Sequence, residues 1–156
     1  MIYVLDTSCF KVLKNYYPSR FPSLWSGIGK LADSGRLISV REVLNELESY
    51  NETDFLQTWA QDHKQIFLTP GNDEQLFVRE IFKIPHSQAL ISQKSILRGT
   101  PVADPFVIAA AKVRAGCVVT QESKKPNAAK IPNICEHFGI ECVSLEGFME
   151  KEGWEF

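Results

Sequence analysis

Little in this chain is present in excess. Its 156 residues hold only four cysteines and three histidines, and the formal net charge is −2. Cys9, Cys117, Cys135 and Cys142 form no CxxC pair, which removes the redox and paired-knuckle patterns. Cys135, His137 and Cys142 lie close together, but a structural zinc site needs a fourth ligand and none stands nearby. The expectation is four reduced, mostly buried thiols. No apolar run approaches the roughly 18 residues of a membrane span. Met1 leads straight into a strand-like run with no basic leader, so no secretory signal is expected and the cytoplasm is the expected location. There is no internal repeat, low-complexity stretch or Gly/Ser linker. With a pI of about 5.9, any binding of nucleic acid has to rest on a local patch and not on bulk charge.

What is there is ordinary globular material: 44% hydrophobic and 23% charged residues, in a length that suits one domain over 1–156. Short apolar runs alternate with helical periodicity, which predicts an α/β fold with a mainly parallel sheet. The strand candidates are 2–5, 37–40, 117–120 and 141–144, with a weaker one at 66–68. Helical patterns cover 8–15, 24–31, 41–49, 53–63, 72–83, 87–97, 102–115, 131–138 and 145–150. Pro22 and Ser23 suit a helix start, and Asn72, Asp73 and Glu74 give the acidic first turn a helix prefers. The stretch 102–115, with "PFVIAAAKV", is the most apolar helix. Residues 51–100 read as a helical excursion within one domain, because both flanks supply strands.

Ligands on open α/β sheets bind beyond the carboxyl ends of the strands, and four acidic residues are expected there. Asp6 ends the first strand, in "YVLDTS". Glu46 lies on the helix after the second, in "SVREVLNEL", with Glu42 four residues before it. Asp104 opens the apolar helix in "VADPFVIAAA", and Glu122 follows the strand that ends in "CVVTQE". Each has a plainer explanation. Asp6 and Asp104 suit N-caps, the latter with Pro105 at the first helical position. Glu46 suits a solvated helix face and Glu122 a polar loop. Four such coincidences on one rim are less expected than any one.

In this order and spacing the four motifs resemble the PIN domain, a family of metal-dependent nucleases with a central parallel sheet and helices on both faces. The resemblance covers nearly the whole chain. It is strongest to a PIN-like group of small prokaryotic proteins related to the VapC-type ribonuclease toxins of toxin–antitoxin pairs. It implies a sheet of four to five strands, and an endoribonuclease that hydrolyses RNA phosphodiester bonds to leave a 5′-phosphate and a 3′-hydroxyl. The implied metal ligands are Asp6, Glu46 and Asp104, and the implied ion is Mg²⁺ or Mn²⁺, which suits oxygen donors in a set without His or Cys. Glu122 completes the implied catalytic set, although the family has Thr-Asn-Asp where this chain has Thr120-Gln121-Glu122. Its extra methylene leaves open direct ligation, action through water, or neither.

Thr7, Ser8 and Thr120 are the hydroxyls expected to orient water or phosphate. Lys124, Lys125 and Lys130, in "SKKPNAAKIPN", either form a solvated loop or contact the RNA backbone, with Arg41, Lys94 and Arg98 as possible extensions. The resemblance also implies a small antitoxin that covers the acidic rim, and a homodimer. Phe82, Ile84, Leu90, Ile91, Ile96 and Leu97 make the middle helices apolar enough for a partner face or for internal packing. Two other readings compete. The altered fourth acid fits a PIN-like module that binds RNA or a partner without cutting. A phosphatase-like nucleophile at Asp6 wants a second Asp two residues on, where Ser8 stands.

Overall fold

The computed structural model describes residues 1–50, 54–85 and 102–156. The predicted helix over 87–97, with Lys94, Arg98 and the apolar positions 90, 91, 96 and 97, lies outside the described residues.

Five strands form one parallel sheet: β1 (Tyr3–Leu5), β2 (Leu37–Val40), β3 (Phe67–Leu68), β4 (Cys117–Val119) and β5 (Glu141–Val143). Their order is β3-β2-β1-β4-β5. Tyr3 pairs with Leu37 on one side and Cys117 on the other, and Cys117 pairs with Glu141. Ser39 pairs with Phe67. β1, β2 and β4 are buried at every position. That is why they read as unbroken apolar runs: a parallel sheet is covered on both faces.

The connections are helical, as parallel neighbours require. α1 (Thr7–Leu13) and α2 (Pro22–Asp33) join β1 to β2. α3 (Arg41–Glu48), α4 (Phe55–Asp62) and a 3₁₀ turn (Lys64–Ile66) lead to β3. α5 (Asn72–Phe82) and α6 (Asp104–Val113) precede β4, α7 (Ile131–Phe138) links β4 to β5, and α8 (Leu145–Glu152) follows. α2 starts two residues earlier than its apolar pattern suggests, with Phe21 rather than Ser23 at the cap position and Pro22 as the first helical residue.

α6 buries Val107, Ile108, Ala109, Ala110 and Ala111 against β1, β2, β4 and α5. Its small residues let it lie close to the sheet. Arg114 at its end pairs with Glu74 of α5 at 2.8 Å, and that guanidinium helps hold the Glu74 carboxyl below its usual range against the opposing effect of burial. The turn from α6 into β4 runs so close to β1 that a Cβ on Gly116 would stand 2.7 Å from the Ile2 carbonyl oxygen. Phe10, Trp25, Phe55, Trp59 and Phe67 fill one part of the core with ring centroids 5.4–6.2 Å apart. Among the described residues, no helix is long and apolar enough to cross a membrane.

The chain steps outward from β1 to β3 and then returns to place β4 and β5 on the other side of β1. In such sheets a crevice opens at the carboxyl ends where the order reverses, here between β1 and β4. Asp6 and Thr120 are the residues that follow those two strands.

Candidate functional site

Asp6 is 2% exposed and caps α1 by accepting the Cys9 N–H at 3.0 Å. The helix-capping expectation therefore holds, and it is only part of what this carboxylate does. Oδ2 also accepts from the Thr120 hydroxyl at 2.5 Å, and the Ser8 hydroxyl stands 2.7 and 2.9 Å from the two oxygens. One hydroxyl has one proton, so those last two contacts are alternatives. Ser8 Oγ in turn accepts the Gln121 N–H at 2.9 Å, and Thr120 Oγ1 accepts the Glu122 N–H at 3.1 Å. Asp6, Ser8 and Thr120 thus lock the start of α1 to the turn after β4.

Glu46 is bound at both oxygens. Oε2 accepts from the Thr7 hydroxyl at 2.5 Å, and Oε1 accepts the Ala103 N–H at 3.2 Å. It joins α3 to the starts of α1 and α6, which is not the role of a solvated helix residue. Glu42, one turn earlier, departs further from that reading: it is 1% exposed. Arg41 donates to its Oε1 at 2.9 Å, while its Oε2 is buried with no hydrogen-bond partner among the described residues.

Asp104 does not cap α6. Ala103 occupies the cap position in a helical conformation (φ −70°, ψ −33°), and Asp104 is the first helical residue, with Pro105 second. Its side chain makes no hydrogen bond among the described residues. Burial pushes its carboxyl up to about 7, and the charges of Glu122, Asp6 and Glu46 add to that, with Lys130 opposing them. Three acids from three other segments therefore act on the Asp104 carboxyl.

Glu122 accepts the first N–H of α7, from Ile131, at 2.9 Å, one of the donors a helix start leaves unpaired. No local sequence pattern marks this cap. Of the three loop lysines, Lys130 acts on the acidic group, Lys124 is paired with Glu136, and Lys125 is exposed with its backbone clipped by Asn133.

Among the described residues, no three His, Cys, Asp or Glu side chains are arranged to hold a metal ion as they stand. That includes Cys135, His137 and Cys142, and all four cysteines are free. The acidic group nevertheless suits a hard divalent cation in its chemistry: all its donors are oxygens, and Asp104, unbonded among the described residues, faces three other carboxylates. The oxygens of Glu46 and Glu122 are held by backbone N–H groups, so gathering them round one ion requires rotation of those side chains.

No curated protein matches this sequence. Among solved structures, the chain is similar to VapBC2 from Rickettsia felis, solved bound to a DNA fragment from their promoter. The identity is 17%, with 82% of this chain and 96% of that chain covered and a TM-score of 0.51. It is also similar to PAE2754 from Pyrobaculum aerophilum, with 13% identity, 97% and 88% coverage and a TM-score of 0.45. The fold is PIN-like. The model of a family described as a domain of unknown function, DUF4411, matches residues 3–156, and the chain belongs to that family.

Proposed function

We propose that this protein is a divalent-metal-dependent endoribonuclease, the toxin of a toxin–antitoxin pair. The observation that carries the reading is the Asp104 carboxyl, raised to about 7 by burial and by three other acids on the same rim. Such an arrangement disfavours the empty site and favours a cation. Asp6, Glu46 and Asp104 would hold Mg²⁺ or Mn²⁺, with Glu122 at a second ion or acting through water. When bound, the ion supplies Lewis-acid stabilisation of the phosphodiester and a more acidic water.

The chain's own residues do the rest. Thr120 and Ser8 fix the Asp6 carboxylate, whereas Glu46 is held by Thr7 and the Ala103 N–H and would turn away from one of them to reach the ion. Asp104 gives up its proton as the cation arrives, which makes loading tighter as pH rises through 7. Lys130 offers a cation to a phosphate at the edge of the group. The likeness to VapBC2 is the ground for proposing an antitoxin partner, and a toxin of this kind would act on RNA in the cytoplasm; a homodimer belongs to the same reading.

The test is cleavage of a structured RNA pool in Mg²⁺ or Mn²⁺, with EDTA and Asp6→Asn controls. Cutting that stops in both controls and leaves 5′-phosphates supports the proposal. Ends with a 2′,3′-cyclic phosphate overturn it, because they report attack by the ribose hydroxyl. One observation favours a second reading, an RNA-binding module without catalysis: Glu122 is already committed to capping α7. RNA binding that is complete in EDTA, with no cutting by any divalent ion, would establish that instead.

A further inference from the structure

Behind the acidic rim lies a second feature that the metal chemistry does not use. α1 and α3 run side by side in parallel, and two contacts fix their register. Thr7 of α1 meets Glu46 of α3 at the rim, and further on the Lys11 ammonium of α1 sits over the ring of Tyr50, just past the end of α3, 4.8 Å from its centroid. Four helical residues span about 6 Å, so Lys11 stands about one turn beyond Thr7 in α1, and Tyr50 lies just past the end of α3.

There, Lys11, Lys14 and Tyr50 line a pocket of about 120 Å³ floored by Leu47 and Leu56. That is close to the volume that admits a single aromatic ring. Gln57 and Asp54 close its far side. The Gln57 side chain donates to the Tyr50 carbonyl at 2.6 Å, and Asp54 caps α4 through the Gln57 N–H at 3.1 Å. Tyr50 is 41% exposed, which leaves one part of its ring open to a ligand. Among the described lining residues, the two ammoniums lie on the α1 side and the carboxylate of Asp54 on the α4 side. A flat ligand with an anionic edge therefore fits in one orientation, with its ring against Tyr50 and its charge toward α1. A bare phosphate would have no use for the leucine floor.

We propose that this pocket is a nucleotide subsite for single-stranded RNA. It takes the base and phosphate of the nucleotide next to the one whose phosphodiester lies at the acidic rim. The placement of that neighbour rests on the nuclease reading above; occupation of the pocket by a nucleotide does not. Stacking on an aromatic ring beside basic side chains is how proteins hold single strands with little sequence preference.

The experiment is fluorescence anisotropy of a labelled, random-sequence decamer RNA with the full chain in EDTA, where no metal-dependent cutting occurs. Wild type is expected to bind. Tyr50→Ala should weaken binding about tenfold, the lower part of the range for one stacked base, and Tyr50→Phe should stay within about twofold of wild type. Lys11→Gln should flatten the dependence of log affinity on log salt by about 0.7, the value for one single-strand phosphate. A folded wild type that binds no RNA overturns the subsite, as does Tyr50→Ala binding with wild-type affinity. RNA cutting in Mn²⁺ that is unaffected by Tyr50→Ala and Lys11→Gln overturns the subsite alone. No cutting, with binding that still depends on Tyr50 and Lys11, overturns the nuclease reading and leaves the subsite standing.

Discussion

Replacing Asp104 by Asn should make the metal-free protein more stable while removing its proposed activity. The carboxyl titrates near 7 in the folded chain, against an ordinary value of 3.8. The folded state thus binds a proton that the unfolded state has already lost, and stability falls as pH rises between about 4 and about 7. At about 1.36 kcal/mol per pH unit, this interval is worth up to about 4 kcal/mol at pH 8. The side chain keeps partial contact with water, which brings the expected gain from Asn to about 2 kcal/mol. No capping bond is lost, because Ala103 holds the cap position. With a urea m-value of about 2 kcal/mol/M, the midpoint should rise by about 1 M at pH 8 and by little at pH 4.5. Urea titrations with EDTA at both pH values measure it. A midpoint that is unchanged at pH 8, or raised equally at both, would show that burial and the neighbouring acids do not raise the Asp104 carboxyl as the geometry implies.

Other substitutions probe the same arrangement. Asp6→Asn keeps an acceptor for the Cys9 N–H, so stability should change by less than about 1 kcal/mol, whereas metal-dependent RNA cleavage should fall by at least about 100-fold in a gel assay. Glu122→Gln keeps an acceptor for Ile131 but removes the largest charge acting on Asp104. The Asp104 carboxyl titration, followed by ¹³C NMR, should then move down by on the order of one pH unit. Gly116→Ala drives a Cβ into the Ile2 carbonyl, which is backbone and has little room to give. It should cost about 1–3 kcal/mol and lower the melting temperature by roughly 2–10 °C in a thermal scan.

The sheet was legible because burial on both faces leaves unbroken apolar runs, so β1, β2 and β4 stand out in the sequence and even two-residue β3 leaves a trace. The carboxyl-end positions of Asp6 and Thr120 followed from the strand ends alone. Side-chain commitments did not. Asp104 before Pro105 reads as a cap from local preference, yet the helix starts one residue earlier, and the Ala103 N–H goes to Glu46, which is 57 residues away in the chain. Glu46, with Glu42 on the same face, reads as solvated because helical periodicity cannot separate a bound or buried carboxylate from an exposed one. Glu122 as the cap of α7 depends on a loop folding back across nine residues, and no local pattern encodes that.

The rim is assembled from positions 6, 46, 104 and 122, so no N-terminal fragment that ends before Glu122 contains it whole. During synthesis at 5–20 residues per second, Asp6 is made roughly 6–23 s before Glu122. Through that interval the growing chain holds an incomplete set of acids, and Asp6 lacks the hydroxyl of Thr120 that helps fix it. For an enzyme that would attack the RNA around the ribosome making it, the order of the sequence is itself a delay. On the proposed function, cleavage would become possible only once the segment carrying Glu122 has joined the sheet, and by then a partner already present in the cell could be waiting.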